Sequence, residues 1–283
     1  MNMRLASTGP RLSVSTWSLH RALGRPASYG PDRGLQIPAA THSRGALTLL
    51  EVPARIAAFG IHTLEICHFH LPSRDRSYLD EIRDALRSVG VTLFSLLIDE
   101  GDITDPIHAG RDRAWIGGWI ETAAALGAER VRVIAGKSPP AAESLDLSRQ
   151  GLLALAQQAQ AHGVRLMTEN WLPLLSHPQV VCTLLEQLNG EVGLCLDFGN
   201  WSGTTKYADL AVIAPYAESC HAKAHFSAPQ NMERADYVRC LDLMRDADFA
   251  GPYTLIYDGP DDDEWAGLAL EQAVVREYLS AIL

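Results

Sequence analysis

The chain has 283 residues, of which 47% are hydrophobic and 20% are charged, a composition typical of a folded globular protein with a sizeable core. The formal net charge of -10 argues against a nucleic-acid-binding or anionic-membrane-binding surface, because both need basic patches. Five cysteines without a CxxC pair indicate reduced thiols. We find no signal-peptide pattern and no apolar run of bilayer-spanning length, so we expect a cytoplasmic protein.

Apolar segments with a period of two alternate with longer segments of helical periodicity along the chain. The first predicted strand is followed by residues 18–46, a segment rich in glycine and proline that we expect to form a long loop. The predicted strands cover residues 12–17, 62–67, 91–98, 130–135, 164–169, 192–197, 219–224 and 253–258. The predicted helices cover residues 47–59, 80–89, 111–126, 147–162, 178–188, 207–216, 232–246 and 264–283.

The order of these elements predicts the fold. Glycine ends four helices just before the next strand, as is usual for helix-to-strand turns, at Gly60, Gly90, Gly127 and Gly163. Strict alternation implies a parallel sheet, and eight units imply a closed (β/α)8 TIM barrel with one domain over residues 1–283. A doubly wound open sheet would need a glycine-rich phosphate loop after the first strand, and residues 16–20 are not such a loop.

Three residues with metal-ligand chemistry stand at the ends of consecutive predicted strands: Glu169, Asp197 and His221. Active sites of TIM barrels lie at the carboxyl ends of the strands. Two carboxylates and an imidazole suit a divalent cation such as Mn, Mg, Co or Zn. The alternative is that each carboxylate caps the next helix or forms an ion pair with Lys223 or Arg165.

Other polar and aromatic residues near the strand ends are candidates for binding or catalysis. Lys223 shares the predicted inward face of its strand with His221. It could stabilise an enolate oxygen or move a proton, and the alternative is a salt bridge to Glu169 or Asp197 in place of a metal. Trp17 is more typical of the core. The candidate substrate-binding residues are Glu65, His68, Trp171, Asn200, His225 and Asp258.

Five segments of the chain resemble the sugar phosphate isomerase/epimerase superfamily, the xylose isomerase-like barrels. They are GIHTLE (60–65), GVRLMTEN (163–170), LCLDFGN (194–200), CHAK (220–223) and GPYTLIYDG (251–259). The resemblance implies a divalent cation held by a Glu on strand five, an Asp on strand six, a His on strand seven and a Glu on strand eight. The first three ligands would be Glu169, Asp197 and His221.

The chain departs from this family pattern at two positions. Ile256 stands where the fourth ligand, a Glu, is expected, and Asn200 replaces a His that often follows the strand-six Asp. Epimerases of the family use the strand-five and strand-eight carboxylates as an acid/base pair, so Ile256 removes half of that pair. Asp258 lies on the same face, about 6.6 Å further along the strand.

The resemblance implies a metal-dependent isomerase or epimerase that acts on a small sugar or polyol through an enediolate. The acidic residues within 259–264 disfavour a phosphorylated substrate, and a homo-oligomer is compatible with the sequence. Two alternatives are a dehydratase acting on a keto-polyol and a non-catalytic sugar-binding barrel that has lost its metal. A metal-dependent abasic-site nuclease of the same fold would need a basic groove, which the charge of -10 disfavours.

Overall fold

A computed structural model describes residues 9–24, 29–35, 37, 45–260 and 262–280. Eight parallel strands close into a barrel in the order β1-β10-β7-β6-β5-β4-β3-β2, and β8 and β9 form a small antiparallel pair outside it. The ten strands are β1 Arg11–Ser15, β2 Thr63–Cys67, β3 Thr92–Ile98, β4 Arg130–Val133, β5 Arg165–Glu169, β6 Gly193–Asp197, β7 Ala217–Ala222, β8 Phe226–Ala228, β9 Asn231–Met232 and β10 Pro252–Leu255.

Eight α-helices accompany the barrel strands in the described residues, so the predicted TIM barrel is confirmed. None of them is long and apolar enough to cross a bilayer. The helices are α1 Val52–Ala58, α2 Arg76–Ser88, α3 Ala109–Leu126, α4 Ala142–Ala161, α5 Pro178–Gln187, α6 Lys206–Ile213, α7 Arg234–Asp246 and α8 Glu264–Ser280.

The four predicted glycine turns have the left-handed backbone that ends a helix. Their φ angles are 82°, 65°, 77° and 74°, at Gly60, Gly90, Gly127 and Gly163. At Gly127 the φ of 77° lets its N–H donate to Ala124 O at 3.0 Å and directs the chain from α3 towards β4. A side chain at this φ would be strained, which explains why glycine marks these junctions.

Several element bounds differ from the prediction. The first strand ends at Ser15, and a 3-10 turn, Thr16–Leu19, follows it. This turn leaves Trp17 36% exposed, so our expectation of a core tryptophan was wrong. The predicted loop 18–46 contains a second 3-10 turn, Pro31–Arg33, while residues 25–28, 36 and 38–44 of that loop lie outside the described residues.

The seventh barrel strand is also placed differently, because it ends at Ala222 and not at residue 224. The chain then forms the β8–β9 pair, which turns at Gln230 with a φ of 57°. The sequence did not predict this pair. Lys223 and His225 both lie beyond the end of this barrel strand, so the prediction that Lys223 lies on the strand with His221 was wrong.

A charged cluster closes the amino-terminal end of the barrel. Arg165 Nε donates to Glu218 Oε2 at 2.7 Å, and Arg130 lies 3.5 Å from the same carboxylate. The ring of Phe94 lies between two guanidinium groups, 5.5 Å from Arg11 and 5.4 Å from Arg130. Arg165 therefore pairs with a carboxylate at the end of the barrel opposite the active-site end, where polar contacts serve stability.

Glu271 on α8 is a fully buried carboxyl group. Its Oε1 accepts a hydrogen bond from Ala224 N at 3.2 Å, and Oε2 has no hydrogen-bond partner among the described residues. Burial raises the pKa of Glu271 well above its usual value, because a buried anion loses its hydration. The folded protein therefore holds this group in its neutral form over a wider pH range than the unfolded chain does.

We predict that Glu271→Gln stabilises the protein at neutral pH, because the amide keeps the Ala224 contact and has no charge to lose. An unfolded Glu ionises near 4.5, so the wild type loses stability as the pH rises from that value towards the raised folded pKa. The gain from the substitution should be small below that pH and then grow by about 1.4 kcal/mol per pH unit. Urea unfolding across this range measures it.

Glu143→Gln is the matched control, because Glu143 is exposed on α4 and should give no such pH trend. A difference between Glu271→Gln and wild type that stays constant with pH would contradict the assignment of a neutral Glu271.

Candidate active site

Glu65 and His221 meet inside the carboxyl-terminal half of the barrel. They lie on β2 and β7, which are not neighbouring strands, yet His221 Nε2 donates to Glu65 Oε2 at 2.9 Å. Both side chains therefore point into the barrel, where Glu65 is 0% and His221 is 3% exposed. A carboxylate on one ring nitrogen fixes the orientation of the imidazole and leaves the other nitrogen for a second contact.

The second ring nitrogen of His221 faces two carboxylates. Its Nδ1 is 3.6 Å from Glu169 Oε2 and 3.5 Å from Asp197 Oδ2, and all three side chains are buried. The structure thus brings the three predicted ligand residues together. Both separations exceed the usual hydrogen-bond length of about 2.7–3.2 Å.

Asn170 connects the strands that carry the two carboxylates. Its side-chain Nδ2 donates to Asp197 O at 3.1 Å, and its Oδ1 accepts from Asp197 N at 2.7 Å. The Asp197 Oδ1 atom accepts from Gly199 N and Asn200 N at 2.6 and 2.9 Å. Backbone and amide groups therefore hold one Asp197 oxygen, while the other points towards His221.

The predicted substrate-binding residue Asn200 contacts the site directly, because its Nδ2 donates to Glu169 Oε1 at 2.7 Å. Lys223 and Asp258 form an ion pair of 2.7 Å at the rim. Burial lowers the pKa of Lys223, but the charges of Asp197 and Asp258 outweigh burial and raise that pKa above its usual value. The ammonium group thus pairs with Asp258, and not with Glu169 or Asp197 as the salt-bridge alternative supposed.

Two other candidates lie outside this cluster. His68 is fully buried among aromatic rings, with centroids of Trp115 and Trp119 at 5.4 and 5.2 Å, and its Nδ1 accepts from Asp99 N at 3.4 Å. Burial lowers the pKa of His68, so its ring is neutral. His225 is exposed and lies 3.7 Å from Glu233.

Arg132 is the cation of the site, and sequence reasoning missed it. It lies on β4 with 4% exposure; its Nη1 is 2.5 Å from Asp99 Oδ1 and its Nε is 3.0 Å from Glu169 Oε2. Its guanidinium group also lies 5.6 Å from the ring of Trp171, another predicted site residue. Two arginines alternate with valines in the β4 sequence RVRV, and this alternation was the one sequence feature that could have indicated Arg132.

Cys195 was also missed. It lies on β6, two residues before Asp197, and the register of the sheet pairs it with Glu169. One donor atom each from Cys195, Glu169 and His221 lies within 4.8 Å of the other two, and all three residues are buried. The period of two that placed Asp197 inside the barrel also places Cys195 there.

The charges of the site are mutually dependent. Burial raises the pKa of Glu169, but the charges of Arg132 and His221 outweigh burial and hold that pKa at about 2. Burial lowers the pKa of His221, but the surrounding acidic groups, Cys195 first and then Glu169 and Glu65, raise it well above its usual value. Glu169 is therefore ionised, and without a bound metal the imidazole holds a second proton.

A profile of the xylose isomerase-like TIM barrel family matches residues 53–277. The chain belongs to this family. The match covers most of the barrel, including every strand that carries the residues of the site, and it confirms the resemblance found in the sequence. No curated protein matches the chain.

Solved structures of this fold match nearly the whole xylose isomerase-like chain. A xylose isomerase-like TIM barrel protein from Mycobacterium smegmatis, in complex with magnesium, is 17% identical with a TM-score of 0.67, over 98% of each chain. A D-allulose 3-epimerase from Methylomonas sp. is 15% identical with a TM-score of 0.66, over 95% of this chain and 98% of that one. A probable 3-DHS dehydratase from Bacillus anthracis is 13% identical with a TM-score of 0.68, over 94% and 98%.

The residues of this xylose isomerase-like barrel fit a divalent cation. Two donors bound about 2.0–2.1 Å from a tetrahedral ion lie about 3.4 Å apart, close to the 3.5 and 3.6 Å that separate His221 Nδ1 from its two carboxylates. Glu65 adds the carboxylate that commonly orients a ligand histidine. Ile256 is buried and offers no donor at the fourth family position.

We predict that Arg132→Met lowers the unfolding free energy of the metal-free protein by about 3–5 kcal/mol, because it leaves the buried Glu169 and the partly buried Asp99 without their cation. A divalent ion should restore part of this loss by supplying positive charge beside Glu169. Denaturant unfolding with and without added Mn²⁺ measures both effects.

Arg149→Met is the matched control, since Arg149 pairs with Asp146 on the surface and should change stability by less than about 1 kcal/mol. Equal effects of the two substitutions would show that Arg132 does not balance the charge of the site.

Proposed function

We propose that this xylose isomerase-like barrel is a metal-dependent isomerase or epimerase that acts on a small, uncharged sugar or polyol through an enediolate. The observation that carries the proposal is the position of His221, whose one nitrogen is held by Glu65 while the other faces Glu169 and Asp197 at ligand-like distances. The solved D-allulose 3-epimerase of the same fold supports it.

Glu169, Asp197 and His221 would hold the cation. When bound, a divalent cation supplies Lewis acidity that acidifies the C–H bond beside a ketose carbonyl. The chain's own groups have to bind the sugar, remove the proton and return it. Glu169 is ionised and can therefore accept a proton, and Asn200 orients its carboxylate through the 2.7 Å hydrogen bond.

Lys223 is the candidate for the second acid/base group. Its raised pKa keeps it protonated, and the charge of Glu169 is among the causes of that shift, so the two groups lie within electrostatic reach. Environments that push two pKa values apart give one group the role of base and the other that of acid. Glu169 would keep the proton that it removes, and Lys223, held by Asp258, would donate its own proton to the enediolate in place of the carboxylate that Ile256 replaces.

The rim of the barrel favours an uncharged substrate. The Lys223 ammonium is already paired with Asp258, and the Arg132 guanidinium with Asp99 and Glu169. Neither cation is therefore available to a phosphate group. The apolar face of a sugar can instead stack on an aromatic ring, and Trp171 beside Arg132 offers one.

The second candidate is a barrel that binds a sugar without a metal and without turnover. The 3.0 Å contact between Arg132 and Glu169 favours it, because a guanidinium group already supplies positive charge where a cation would lie. A dehydratase on a keto-polyol is the nearest enzymatic variant, since it shares the enolate step, and the probable dehydratase of the same fold supports it.

We predict that the metal-loaded protein, incubated in D2O with a panel of ketoses, incorporates deuterium at the carbon next to the carbonyl. Glu169→Gln should lower this exchange by about 10²- to 10⁴-fold, the usual contribution of a general base, and should also lower the metal content. Mass spectrometry of the sugars and elemental analysis of the protein give the two readouts, with the exposed Glu143→Gln as the control.

The alternatives give different results in this experiment. A dehydratase would release a product that has lost water. A folded protein that takes up no cation after loading and exchanges no deuterium, but still binds a ketose in calorimetry, would contradict the proposed isomerase and identify a sugar binder.

A further inference from the structure

Cys195 differs from the other buried cysteines of the chain. Cys67, Cys220 and Cys240 are buried among apolar side chains, and Cys195 is buried as well. Its thiol instead belongs to the donor group with Glu169 and His221, in which the donor atoms lie within 4.8 Å of one another. A small apolar residue could fill the same space, whereas the thiol adds a donor atom beside Glu169 and His221.

A second observation also points to a ligand at this site. Glu65 is fully buried, and its Oε1 has no hydrogen-bond partner among the described residues, although its Oε2 binds His221. Leaving a buried carboxylate oxygen without a partner is costly. A cation bound to the histidine beside it would place positive charge near this carboxylate.

We infer that Cys195 is a metal ligand, and that the site is a mixed sulfur, nitrogen and oxygen centre that prefers Zn²⁺ or Co²⁺ to Mg²⁺. The inference rests on the metal dependence of the proposed function and names the class of metal. Imidazole and thiolate ligands favour zinc and cobalt, whereas carboxylate-only sites suit magnesium and manganese. The family pattern of one His and three carboxylates is changed here, because Ile256 removes one oxygen donor and Cys195 adds sulfur.

The arrangement of β5 and β6 makes this exchange of donors feasible. Cys195 lies opposite Glu169 in the register, and Asp197 lies opposite His221. The thiol therefore reaches the site from the same strand as Asp197 but one layer deeper. When the sulfur–metal bond forms, the thiol proton leaves to solvent, since a coordinating thiol is bound as thiolate. Arg132 beside Glu169 offsets the added negative charge.

The test uses Co²⁺ as a spectroscopic probe in the full-length protein. Wild-type protein loaded with Co²⁺ should show an intense near-ultraviolet band from thiolate-to-cobalt charge transfer. Cys195→Ser should lose this band and keep the weak visible bands of bound cobalt. The variant should also bind zinc at least about tenfold more weakly, because changing outer-shell partners alone already lowers metal affinity by about that factor. The half-buried Cys182, on α5, provides the matched control, because Cys182→Ser should keep the band.

Bound cobalt with visible bands but no charge-transfer band in the wild type would overturn the Cys195 ligand and leave the metal-dependent function intact. Failure of the wild type to bind any cobalt or zinc would overturn both. X-ray absorption of the zinc-loaded wild type detects a sulfur neighbour directly. It therefore decides the question even if Cys195→Ser does not fold, and a first shell of only oxygen and nitrogen would overturn the inference.

Discussion

The burial of like charges at one end of the barrel is the constraint on which the site depends. Glu65, Glu169 and Asp197 are 0%, 5% and 4% exposed, and carboxylates this deeply buried need positive charge beside them. Arg132 supplies one fixed charge through Nε. His221 supplies the other, because its ring lies within 3.6 Å of all three carboxylates. A proton on His221 Nδ1 and a divalent cation would occupy the same position, so the two compete for it.

The surrounding fold holds Glu169 and Asp197 in place through several hydrogen bonds. Asn170 joins the backbone of β6 to β5, and the turn after Asp197 fixes one of its oxygens. Asn200 donates a hydrogen bond to Oε1 of Glu169. Because these contacts come from the strands and the tight turns that follow them, the separations around His221 are set by the rigid part of the barrel.

The fold and the site differ in how far the sequence predicts them. The barrel follows from alternation alone, and strand ends identify Glu169, Asp197 and His221 without knowledge of neighbours. Arg132 and Cys195 could not be assigned in this way, because one strand's pattern gives the inward face but not the depth or the partner across the barrel. Those depend on the strand register, which shifts by a bulge between Leu64 and Glu65 and by another before Cys195.

The absence of the fourth family ligand at Ile256 has two physical interpretations: a barrel that has lost its metal, and a barrel whose metal site is altered. A barrel without any need for a cation would gain stability by replacing its buried ionic groups with apolar residues of similar volume, often by about 1–4 kcal/mol. This chain instead retains Glu65, Glu169 and Asp197 in the interior, and adds the thiol of Cys195 next to them. The retention of these groups supports the proposal that a divalent cation binds among them.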